Sequence, residues 1–111
     1  MASRQVASNR AGHKPARAIK PHADTAAALL KALANEQRLM ILCNLLEGPL
    51  SVGELNERVA LSQSALSQHL GVLRAANIVT TTREAQSIRY ALSSGAVTRI
   101  IEILYKEFCE S

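Results

Sequence analysis

Residues 23–111 of the 111-residue chain predict a mainly α-helical domain closed by a two-stranded β-hairpin, in the order α-α-α-α-β-β-α. Three observations carry this. Helix-start signals recur at close spacing, with Ser51 and Glu54 in SVGE and Ser62 ahead of QSALSQHLGVLRA. The next two runs, IVTTTR and QSIRYAL, are rich in Thr, Ile, Val and Tyr. Beyond them Val97, Ile100, Ile101, Leu104 and Phe108 recur at helical spacing along one stripe.

Residues 1–22 hold Arg4, Arg10, Lys14, Arg17 and Lys20 with no acid, and little periodicity, so they read as a disordered basic arm. A role in phosphate affinity without sequence specificity suits that charge, and a passive solubilising tail is the alternative. Asp24–Ala34 is the first helix, with Asp24 as its N-cap. Asn35 opens the second, whose inner stripe is Leu39, Leu42 and Leu46 with Cys43 at its edge; Gly48 as a left-handed cap and Pro49 as a breaker end it. Ser51 and Glu54 form a capping box inside a Leu50/Leu55 staple, starting a third helix at Val52 that runs to about Val59. Ser62 caps the fourth, with Leu61 and Leu66 as a second staple, and Asn77 stops it. The two strands follow, with Glu84 and Ala85 at the tip and Ile88, Tyr90 and Leu92 on one face. Ser93 or Ser94 caps the last helix. Two capped helices joined by a few residues, then a hairpin, make a winged helix-turn-helix.

Composition excludes several classes. The length suits one domain, and a core with 48% hydrophobic but 3% aromatic residues is built from Leu, Ile, Val and Ala. No apolar run approaches the roughly 18–20 residues that span a bilayer, so a cytoplasmic protein without a membrane partner is expected. There is no Gly-rich phosphate loop and no paired-carboxylate cleft, and His69 is the sole histidine of the folded part, so neither an enzyme nor a cofactor is expected. The net charge of +4 divides into +5 for residues 1–23 and −1 for residues 24–111.

The fourth helix carries the functional signal. At about 100° per residue, Leu66, Leu70 and Leu73 form a core wedge, and Gln63, Ser64, Ser67, Gln68 and Gly71 fall opposite. An uncharged face of amide and hydroxyl groups suits close approach to base edges in a major groove, where it can both donate and accept. His69 lies beside Ala65 and Leu73, away from that arc, which points to packing rather than base contact. Small domains of this kind read palindromic operators as two-fold pairs, so the stripe Val97, Ile100, Ile101, Leu104 and Phe108 is the candidate surface for a homodimer. Taken by themselves, Cys43 reads as a small core residue and Cys109 as a terminal thiol.

Across residues 25–108 the chain resembles the arsenic-repressor-type (ArsR) family of winged helix-turn-helix repressors. LLKALANEQRLMILCNLLEG, LSVGEL, LSQSALSQHLGVLRAANIV and REAQSIRYAL carry the resemblance. It implies a homodimer that binds double-stranded operator DNA and leaves it when an inducer binds. Gln63, Ser64, Ser67 and Gln68 match the family's DNA-reading positions, and Arg83, Gln86 and Arg89 on the wing become candidates for minor-groove or phosphate contacts. Ala85 departs from the family's usual wing glycine. The family's metal sites have no counterpart here: Ser51-Val52-Gly53 stands where thiol sensors carry a cysteine pair, and the last helix has neither His nor Asp. Cys43 and Cys109 instead match a dithiol subgroup that releases DNA when reactive sulfur species oxidise or bridge the two thiols, controlling sulfide detoxification genes. A metal- or metalloid-responsive repressor using Cys43, Cys109 and arm histidines is one alternative. A winged-helix interaction module without DNA binding is another.

Overall fold

A computed structural model describes residues 14–93 and 95–110. Its elements are α1 (Lys14–Ile19), α2 (Ala23–Leu33), α3 (Glu36–Asn44), β1 (Leu50–Ser51), α4 (Val52–Arg58), α5 (Gln63–Ala75), β2 (Val79–Glu84), β3 (Ser87–Leu92) and α6 (Ala96–Cys109). One-turn 3₁₀ segments at Lys20–His22 and Leu45–Glu47 link α1 to α2 and extend α3. The chain divides into two compact units after Leu30.

Part of the basic arm is therefore helical rather than unstructured. Residues 14–22 wind because Ala, Arg and Lys favour helix, while Pro15 and Pro21 each fall in a first turn, where no N–H is needed. The rest of the arm, residues 1–13, lies outside the described residues. α2 follows directly, so Asp24 sits within its first turn instead of capping it.

From Lys31 on, the core is aliphatic. Ile41, Leu42, Leu55, Leu66, Leu70, Leu73, Ile78 and Ile101 are fully buried. On α3 the inner stripe is Ile41, Leu42 and Leu45, because the helix turns a different face inward from the one expected; Leu39 and Leu46 are half-buried flanks. Asn35 caps α3, its Oδ1 accepting the Arg38 N–H at 3.0 Å. Gly48 ends the segment at φ 139°, ψ 175°, which is not the left-handed helical cap but an extended mirror-image conformation that only glycine adopts readily.

The turns around α4 and α5 are as the sequence specifies. Ser51 Oγ accepts the Glu54 N–H at 3.1 Å and Glu54 Oε1 accepts the Ser51 N–H at 2.9 Å. Ser62 Oγ accepts the Ala65 N–H at 3.1 Å. Asn77, at φ 60°, closes α5 in a Schellman motif: Ile78 N–H donates to Leu73 O and Asn77 N–H to Arg74 O, with Leu73 and Ile78 both buried.

The sheet has three antiparallel strands in the order β1-β3-β2, one more than expected. The added strand is two residues long, too short for any alternation to show, and pairs Leu50 with Tyr90 and Ser51 with Arg89. β2 and β3 run from Val79↔Leu92 to Glu84↔Ser87, so the tip is Ala85-Gln86 rather than Glu84-Ala85. Of these two only Ala85 has positive φ (53°), the sign pattern of a type II′ turn. The last helix lacks a side-chain cap: Gly95 takes the N-cap position. Ser93 is occupied elsewhere, its hydroxyl donating to Asn77 O and Ile78 O, and Ser94 lies outside the described residues.

Candidate nucleic-acid interface and dithiol pair

α4 and α5 form the helix-turn-helix, and Leu66, Leu70 and Leu73 anchor α5 to the core with almost no exposed surface. Their burial fixes the rotation of α5 and turns Gln63, Ser64, Ser67, Gln68 and Gly71 to solvent, all exposed. The two arcs expected from helical angles are thus present as a buried and an open face. His69 is half-buried, and Arg38 Nη1 lies 3.4 Å from its Nδ1, while Arg38 Nε donates to Ala32 O at 2.6 Å. The histidine thus lies against Arg38, on the side of α5 away from the exposed arc. Arg38 joins the end of α2, the start of α3 and the back of α5, a role no motif in the sequence marks.

On the wing, Arg83 and Gln86 are exposed. Arg89 is half-buried between the wing and α4. Its guanidinium donates to Glu84 Oε1 and Glu54 Oε1, each at 3.0 Å, and to Pro49 O at 3.3 Å. Pairing of Ser51 with Arg89 across β1 and β3 brings this side chain beside the α4 N-terminus, so it ties the wing to the helix-turn-helix. Glu54 is held below the ordinary carboxyl range, first by the Ser51 backbone N–H, with Arg89 adding to the effect.

The sulfurs lie on α3 and α6, which pack together. Cys43 is half-buried and Cys109 exposed. Burial pushes the Cys43 thiol up, and the charge of a Cys109 thiolate pushes it the same way, so the two groups sense each other. No group of three or more His, Cys, Asp or Glu suited to a metal ion occurs among the described residues.

The candidate dimer stripe divides. Val97 and Ile101 are buried in the chain's own core, which removes them from a partner-facing surface, and Ile100 and Leu104 are half-buried. Phe108 (78% exposed) continues the stripe beyond the end of that core, and Ile103 and Tyr105 are exposed alongside it. The spacing marks the stripe but not where along the helix the core stops.

Comparison with known proteins identifies this architecture. The family model described as bacterial regulatory protein, arsR family, matches residues 35–81. The chain is 56% identical over 86 residues to the transcriptional activator HlyU of Vibrio cholerae, covering 78% of this chain and 80% of that protein. The chain belongs to the ArsR family. It is also 48% identical over 98 residues to the biofilm growth-associated repressor of Agrobacterium fabrum, covering 88% of this chain and 84% of the relative. Among solved structures, reduced HlyU from Vibrio cholerae superimposes with a TM-score of 0.78 at 52% identity, covering 84% of this chain and 98% of that one. The repressor BigR from Xylella fastidiosa gives 0.75 at 41% identity, with 84% and 95% covered. This ArsR-family chain is a DNA-binding transcriptional regulator and not an enzyme. No helix among its described residues is long and apolar enough to cross a membrane.

Proposed function

We propose that this ArsR-family regulator is a homodimeric repressor that releases its operator when reactive sulfur species bridge Cys43 and Cys109. The observation that carries the reading is the pairing of one half-buried and one exposed thiol on two packed helices, outside the reading face. Similarity to biofilm growth-associated repressors supports the repressor role.

The exposed Cys109 thiolate is the group that meets an incoming hydropersulfide, RS–SH. It attacks the terminal sulfur; the S–S bond breaks, RS⁻ leaves, and Cys109 becomes a persulfide. The Cys43 sulfur, after losing its proton to water, then attacks Cys109 Sγ and expels hydrosulfide. Two protein thiols are oxidised to one disulfide, and the external S–S bond is reduced to a thiolate and hydrosulfide. The bridge fixes the distance between α3 and α6. α3 also carries Arg38, in contact with His69 on α5, so displacement of α3 is passed to the reading helix. Two such helices, paired through the exposed end of α6, must meet successive major grooves about 34–36 Å apart. A change of about 3 kcal/mol in that fit lowers operator affinity over 100-fold.

The test is operator binding by reduced and polysulfide-treated protein, with Cys43→Ser and Cys109→Ser in parallel. Release of DNA by the parent alone is expected, with the treated protein's mass showing whether the bridge holds extra sulfur. If either mutant releases DNA on treatment as the parent does, the dithiol switch is wrong.

A further inference from the structure

We propose that Arg38 is a positioning residue for DNA reading, and that it acts by donating to Nδ1 of His69 on the rear of α5. The inference rests on α5 reading DNA and is independent of the dithiol switch.

Arg38 is half-buried, and among the described residues no carboxylate lies within ion-pair distance of it. A half-buried cation without a counterion needs other partners. Arg38 has three. Its backbone N–H donates to Asn35 Oδ1 at 3.0 Å, which fixes where α3 starts. Its Nε donates to the carbonyl of Ala32 at 2.6 Å, at the buried end of α2. These two bonds aim the rest of the guanidinium at α5, where Nη1 lies 3.4 Å from His69 Nδ1. A guanidinium can only donate, so Nδ1 is the acceptor and the ring carries its proton on Nε2.

At 3.4 Å this bond is long and adds little stability. What it contributes is direction. Leu66, Leu70 and Leu73 anchor α5 by apolar packing, which is strong but not directional. His69 follows Gln68 directly and Ser67 by two positions on the same helix. A rotation of α5 by about 10° carries a side-chain tip about 5–6 Å from the axis through about 1 Å. Hydrogen bonds to base edges tolerate roughly half of that. A polar stop on the rear face therefore decides whether Gln63, Ser64, Ser67 and Gln68 reach their base edges together. Contacts to phosphate, which carry no sequence information, depend on it less.

The experiment compares His69→Asn with His69→Leu in the full chain. Asn places an acceptor, Oδ1, about where Nδ1 stood, and Leu fills the space without one. The probes are a duplex that the parent selects from a random-sequence pool and an unselected random duplex. His69→Leu should lose about tenfold or more in affinity for the selected duplex and little for the random one. His69→Asn should stay within about threefold of the parent on both. A packing role alone predicts the opposite order, since Leu suits a half-buried helical position better than Asn. In an Arg38→Met background, adding His69→Leu should cost less than about twofold further. Parent-like binding by His69→Leu overturns the proposal, as does a loss in His69→Asn equal to that in His69→Leu. A full additional loss in the double variant does so too, because Arg38 would then not act through His69. If Arg38→Met fails to fold, the two single His69 variants decide the matter. Gln63→Ala is run in parallel. If it alone loses affinity, only the positioning role fails; if it and His69→Leu both bind as the parent does, the reading face of α5 fails with it.

Discussion

Glu54 Oε1 accepts two hydrogen bonds at once, from the Ser51 backbone N–H at 2.9 Å and from Arg89 Nη1 at 3.0 Å. One carboxylate oxygen therefore serves both the start of α4 and the root of the wing. Its pKa is depressed in the folded chain, so the stabilisation is present above the ordinary carboxyl range and is lost as pH falls through the lowered folded value. In urea unfolding, Glu54→Gln is expected to be less stable than the parent at neutral pH. The gap should close on acidification below about pH 4. A gap independent of pH would show that the charge of Glu54 is not what holds the wing root.

Ala85 adopts φ 53° at the wing tip, a region that costs a residue with a Cβ about 1 kcal/mol or more. Ala85→Gly should therefore stabilise the protein by about 1 kcal/mol, read as a shift of the denaturation midpoint. The sequence shows this position as a departure from the family's usual glycine, and the structure shows that the turn keeps its positive φ regardless.

Gln63→Ala and Ser64→Ala should leave the melting temperature unchanged, since both side chains are exposed. Operator affinity should fall by about tenfold or more for each, with discrimination against altered operators falling alongside. Intact binding in both variants would move DNA reading to another face.

Phe108→Glu with Ile103→Glu should shift the protein toward monomer in sedimentation and weaken operator binding with it. Both side chains are exposed apolar groups on α6, so the fold of one chain should survive. Unchanged association would place the dimer contact elsewhere.

The two thiols should differ in reactivity toward iodoacetamide. Cys43, half-buried and with its thiol pushed up by desolvation, should react more slowly in Cys109→Ser than Cys109 does in Cys43→Ser. Equal rates would remove the reason for placing Cys109 first in the proposed sequence.

Much of this was legible in the sequence because its signals are local. The capping box at Ser51 and Glu54, the Ser62 cap, the Asn77 stop and the two arcs of α5 each depend on residues within one or two turns. What was not legible depends on partners far along the chain. The ion pair of Arg89 with Glu54, 35 residues away, exists only because β1 pairs with β3 and brings the two together. Ser93 reads as a cap until its hydroxyl reaches Asn77 and Ile78. The burial of Val97 and Ile101 against the exposure of Phe108 depends on where the core ends, which periodicity along one helix does not contain. The helical part of the arm, Lys14–His22, shows little periodicity and so reads as unstructured, and its two prolines each sit in a first turn that tolerates them.

Ser51 is both the N-cap of α4 and the residue of β1 that faces Arg89. A slip of the hairpin by one residue would therefore uncap a helix, and fraying of that helix would unpair a strand. The helix-turn-helix and the wing should open to solvent as a single cooperative unit, with amides in α4 and β3 exchanging at matched rates. An insertion between Pro49 and Val52 would therefore disturb the cap of α4 and the pairing of β1 with β3 together.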